Sequence, residues 1–235
     1  MVGVTDPSHQ RPESTEPAEP AWRTVTDGES RWPATFAIAL AIVLQVAVPR
    51  QFAFDPWWLI PGIEGFIAVG LVVTNPKRID THSDAVRNSG MLMIALLTVA
   101  NGWSAVQLVK GLVNGSIDDP ARLLWTGGAI WLTNVIAFAL WYWELDRGGP
   151  GRRSEGVRDY PDFLFAQMQS PNLAPADWEP NFWDYFYVSF TNATAFSPTD
   201  VLPLSRWAKL MMMIQSAVAL ATVALVVARA VNILR

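Results

Sequence analysis

The chain is predicted to be an all-α polytopic membrane bundle of about five spanning helices plus one short re-entrant helix. Three observations carry this. Charged residues make up 16% of the 235 residues while apolar ones make up 51%, where soluble domains carry about a quarter charged residues. Five apolar runs follow one another between residues 34 and 234. Many of the 12 tryptophans lie beside those runs, as Trp32, Trp57, Trp58, Trp125, Trp141, Trp143 and Trp207 do, where amphipathic rings favour the headgroup zone.

Residues 1–33 are rich in Pro, Glu, Ser, Thr and Asp without apolar periodicity, which predicts a disordered tail. They lack a basic stretch leading directly into an apolar core, so no cleavable signal peptide is expected. Four spanning helices are expected within residues 34–145. The first run, 34–48, is short for a hydrocarbon core of ~30 Å, which takes roughly 20 residues. The second, 57–74, carries Pro61, Gly62 and Glu64 near its start. The third, 90–113, places Asn101, Ser104 and Gln107 at three-residue spacing on one face. The fourth, 123–145, contains Thr133 and Asn134. The fifth, 210–234, holds nothing more polar than Gln215, Ser216 and Thr222 in its first seventeen residues.

Residues 146–181 open with DRGGPGRR, a turn-and-charge cluster, and continue through Pro161, Pro171, Pro175 and Pro180. These prolines forbid a long helix, and an extramembrane loop is expected. At Phe182 the chain turns aromatic and apolar as far as Phe196. That stretch is too short to span, and a half-helix that dips in and returns is the natural reading.

Chemistry is sparse. Cysteine is absent, and His9 and His82 are the only imidazoles. Thiolate catalysis, disulfides and His-rich metal sites are excluded, and no cofactor, metal or enzymatic activity is expected. No basic stripe with interleaved aromatics points to nucleic acid. Glu64 is the one acid well inside a run; it reads either as an ion-path or proton-relay group, or as a carboxyl reaching the interface or a partner helix. Asn101, Asn134 and Gln215 read as hydrogen-bonding glue between helices. Glu144, Asp146 and Arg147 form a candidate ion-pair cluster at the end of the fourth helix. The Asn-Ala-Thr triplet at Asn192 lies inside the short helix, where no glycan could be added.

The segment YVSFTNATAFSPTDVLPLSRWAKLM, residues 187–211, has a frame that resembles the pore module of potassium channels. Tyr187, Ser189, Thr194, Asp200, Pro203 and Lys209 stand at matching places. Ser197 and Thr199 stand where the family has filter glycines, and Pro198 where it has the filter tyrosine. The resemblance covers about 50 residues and implies a re-entrant helix, a final inner helix and a homo-tetramer in the bilayer. It implies an ion path over Thr194, Ala195, Phe196, Ser197, Pro198, Thr199 and Asp200. The carbonyl cage of a potassium filter needs backbone angles that side chains resist, and Pro198 fixes its own φ. A wider, hydroxyl-lined constriction with poor cation selectivity is therefore expected. The alternatives are a non-conducting scaffold or partner-binding protein, with Ser197–Asp200 as an ordinary turn and cap.

The whole chain is similar to bacterial inner-membrane protein families, which implies an inner (plasma) membrane location. Ten Lys and Arg lie in the tail, residues 75–89 and residues 146–182, so the positive-inside rule puts the N-terminus in the cytoplasm. The short helix would then dip in from the cytoplasm, inverted relative to potassium channels as in glutamate-receptor channels, unless the first run does not insert.

Overall fold

The computed structural model describes residues 19–74, 78–79, 83–115, 119–156, 160–195 and 200–233. It is mostly helical. The helices are α1 (Trp32–Ala47), α2 (Leu59–Thr74), α3 (Asp84–Val113), α4 (Pro120–Leu145), α5 (Pro150–Ser154), α6 (Ala166–Gln169), α7 (Phe182–Ala195) and α8 (Arg206–Ile233). Two small antiparallel pairs accompany them. β1 (Glu29–Ser30) pairs with β2 (Arg78–Ile79), and β3 (Phe163–Leu164) with β4 (Leu202–Pro203).

Among the described residues, three helices are long and apolar enough to cross a membrane: α3, α4 and α8. α1 and α2 are apolar but have 16 residues each, or about 24 Å of helix. Helix limits follow local chemistry rather than hydropathy. Asp119 caps α4 by accepting from the Ala121 and Arg122 amides at 2.9 and 3.3 Å, with Pro120 in the first turn. Asn181 and Asp184 cap α7 reciprocally. Asn181 Oδ1 accepts from the Trp183 amide and Asp184 Oδ2 from the Asn181 amide, both at 2.9 Å. α3 starts at Asp84 and α8 at Arg206, each a few residues ahead of its apolar run.

α4 is the central post, and α1, α3, α7 and α8 all pack on it. α1 offers Ala34, Ala37, Ile38, Ala41 and Leu44 as its buried face, a helical spacing whose small residues allow close approach. Gly127 does the same for α8, because a Cβ there would come 2.7 Å from Val226 Cγ2. At the far end of α4 an aromatic layer seals the core. Tyr142 packs on Phe163 at 5.1 Å between centroids, Phe165 on Tyr185 at 5.4 Å, and Phe163 on Trp207 at 5.7 Å.

Part of the segment expected to be a tail is packed on the bundle: Trp22 is buried, and Glu29 is drawn into an ion pair with Arg153. Its polar composition hides these specific partners.

Candidate functional site

The resemblance directs attention to α7 and the residues after it. Thr194 is exposed in the last turn of α7, its hydroxyl bonded at 2.9 Å to the Phe190 carbonyl of its own helix. Asp200 is exposed beyond that helix. Ala195 closes α7. Phe196, Ser197, Pro198 and Thr199, the expected filter positions, lie outside the described residues.

The buried face of α7 is welded to α4 and α8 by a saturated polar network around Gln215. The Tyr142 hydroxyl donates to Gln215 Oε1 at 2.6 Å, and Asn192 Nδ2 donates to the same oxygen at 2.8 Å. Gln215 Nε2 donates to Ser189 Oγ at 2.6 Å and to the Ser189 carbonyl at 3.0 Å. Ser189 in turn donates to the Val135 carbonyl at 2.6 Å, and Asn192 Nδ2 also reaches the Met212 carbonyl at 3.0 Å. Gln215 thus bonds α4 and α7. Its amide has donors and acceptors on both sides, so its full burial is compensated.

The other expected intramembrane polar residues stand apart from this network. Glu64 is fully buried and accepts from Gln45 Nε2 at 3.4 Å, while its Oε2 has no hydrogen-bond partner. Through Gln45 it reaches α1. Asn101 and Ser104 are buried on α3. Asn134 is buried on α4, and its Nδ2 has no hydrogen-bond partner.

A second cluster, at the C-terminal end of α4, forms a polar clasp. The Asp146 carboxylate is fully buried; it accepts from the Tyr185 hydroxyl and, at 2.7 Å, from the Asp162 amide, with Arg147 Nε at 3.7 Å. The Asp162 carboxylate returns the contact, accepting from the Arg147 amide at 3.0 Å and from Trp207 Nε1 at 2.8 Å. Arg147, at φ 52, donates through its guanidinium to the Trp22 carbonyl. Arg153 Nη1 donates to the Trp143 carbonyl at 2.6 Å and its Nη2 pairs with Glu29 Oε1 at 2.9 Å. Glu29 also accepts from Trp143 Nε1 and from the Phe182 amide. Burial raises the Glu29 carboxyl, and Arg153 and the Trp143 and Phe182 donors counter it. For Arg153 burial acts downward, but Tyr185, Glu29 and Asp146 outweigh it and the guanidinium is held charged.

Of the expected ion-pair cluster, Asp146 and Arg147 do meet. Glu144 turns instead to Arg87 of α3, with Nε 3.8 Å from its Oε1. Glu29, Arg153, Asp162 and Tyr185 were not singled out from the sequence. Their partners lie up to 153 residues away, and no local spacing signals them.

The clasp fixes the path of α7. Its first residue is held by Glu29, and its last turns reach Met212 and Ser216 in α8. By Leu202–Pro203 the chain pairs with β3, and the Leu204 amide donates to the Asp162 carbonyl at 2.8 Å. The start of α7 and the strand β4 that follows it thus both sit at the clasp. Comparison with family models, curated proteins and solved structures gives no match for this chain.

Proposed function

We propose that this is an integral membrane protein of five crossings in which α7 is a re-entrant half-helix, and that copies assemble to form a weakly selective cation path. The observation that carries the reading is the return of the chain to the clasp after α7. α7 is about 20 Å of helix that begins at the clasp, and β4 after it lies at the clasp again. A segment of that kind is tolerated in a bilayer when protein shields its backbone, and α4 and α8 supply the shield.

A single half-helix encloses nothing, so conduction requires an oligomer. The outward face of α7 supports one. Trp183, Tyr187, Phe190 and Thr194 are exposed along one stripe, an aromatic and hydroxyl surface suited to a neighbouring copy. The C-terminal end of α7 carries the negative pole of its dipole, which favours cations. The extra crossings beyond the three long helices are α1 and α2, short enough to need local thinning of the bilayer.

A second reading, a non-conducting scaffold on the same fold, is favoured by the saturated Gln215 network, which leaves the buried face of α7 no polar group for an ion. Flux of sodium, potassium and caesium into liposomes separates the two. Flux that is lost on Thr194→Val supports the path. Absence of flux both in the wild type and in the doubly glycine-substituted Ser197→Gly, Thr199→Gly protein, in an oligomeric preparation, leaves the scaffold.

A further inference from the structure

A cavity of about 70 Å³ lies at the clasp end of the bundle, between α1, the end of α2, the start of α3 and the end of α4. It belongs to neither the α7 network nor the carboxylate pair at Asp146. Its lining combines Arg31, Arg87 and Arg152 with the apolar side chains of Ile38, Leu71 and Ile94. Among the described lining residues Glu144 supplies a carboxylate, and it faces Arg87.

Local structure aims these arginines. Gly148 takes φ +88, and a Cβ there would come 2.8 Å from Arg152 Cδ, so the Arg152 stem lies across the turn that ends α4. Arg31 precedes the first turn of α1 and is 9% exposed. Arg87 sits one turn into α3, facing Glu144 at 3.8 Å, and its Nε is buried without a hydrogen-bond partner. A buried guanidinium N–H lacking an acceptor is costly, and an oxyanion in the cavity would supply one. Guanidinium forks match phosphate oxygens in geometry and charge. The apolar side chains in the same lining suit a hydrocarbon chain, which a free anion would not use.

We propose that this cavity binds an anionic phospholipid, with its phosphate on Arg87, Arg152 and Arg31 and the start of an acyl chain along Ile38, Leu71 and Ile94. The site is independent of whether the protein conducts. It would fasten α1 and α3 to the end of α4 and couple the bundle to the charge of the surrounding leaflet.

The test uses the full-length protein in neutral detergent, titrated with short-chain phosphatidylglycerol, short-chain phosphatidylcholine or inorganic phosphate, with native mass spectrometry and thermal midpoint as readouts. Phosphatidylglycerol is expected to bind and raise the midpoint, phosphatidylcholine to bind more weakly, and inorganic phosphate not to displace the lipid. The Arg87→Gln, Arg152→Gln protein is expected to bind phosphatidylglycerol about tenfold more weakly or worse. Gly90→Leu fills the cavity from α3, where an added Cβ meets no atom within 4 Å; it leaves the arginines in place and is expected to weaken the lipid similarly. Equal binding of the two lipids, wild-type affinity in the cavity-filled protein, or displacement by inorganic phosphate would overturn the proposal.

Discussion

Gln215 shows how one side chain in an apolar helix gains a defined role. Its amide is fully buried and bonds Tyr142, Ser189 and Asn192 together. Gln215→Leu strands several of these groups and is expected to cost about 2–4 kcal/mol, since each buried polar atom left unmade costs about 1–3 kcal/mol. A double-mutant cycle with Tyr142→Phe checks the coupling; a coupling near zero would show that the two side chains act separately. Glu29 makes a parallel case at the clasp. Glu29→Gln removes the carboxylate that pairs with buried Arg153, and removal of one partner from such a pair costs about 3–5 kcal/mol. Replacing both by apolar residues of similar volume is expected to restore much of that loss, read as the midpoint of thermal unfolding in detergent. The sequence could flag Gln215, because a polar residue in an otherwise apolar run stands out. It could not flag Glu29, which lies in a polar stretch and acquires its meaning from Arg153, 124 residues away.

At the scale of elements, helix starts are set by caps that hydropathy does not register. Asp119 with Pro120 opens α4, and Ser205 precedes α8, its Oγ accepting from the Ala208 amide at 3.3 Å. Hydropathy alone placed the starts of α3 and α8 late, because polar residues in a first turn are tolerated by a helix that continues beyond the apolar run. The contact between α4 and α8 rests on Gly127. Gly127→Val forces Val226 aside and is expected to cost about 1–3 kcal/mol as overpacking does, measurable as lowered thermal stability; an unchanged midpoint would mean that the helices separate at no cost. The cap of α7 is a smaller matter. Asp184→Ala removes one half of the reciprocal cap and is expected to cost about 1 kcal/mol, with the Gln215 contacts preserved.

For the whole molecule, α4 holds the bundle together and the clasp decides where α7 begins and where its loop ends. The aromatic turn at Phe182 and the short apolar length made a short helix legible. The groups that hold its start and the strand after it were not, because Glu29 lies 153 residues from Phe182 and Asp162 takes the Leu204 amide across the intervening helix. The natural absence of cysteine makes topology directly measurable with single substitutions. Leu173→Cys and Asp200→Cys lie at exposed positions flanking α7, and Asn114→Cys is exposed at the far end of α3. Labelling of each variant in sealed, oriented membrane vesicles by an impermeant maleimide tests the re-entrant path. The expected result is that Leu173→Cys and Asp200→Cys react from the same side and Asn114→Cys from the opposite one; reaction of Asp200→Cys from the side opposite to Leu173→Cys would mean that α7 crosses the bilayer and would contradict the account.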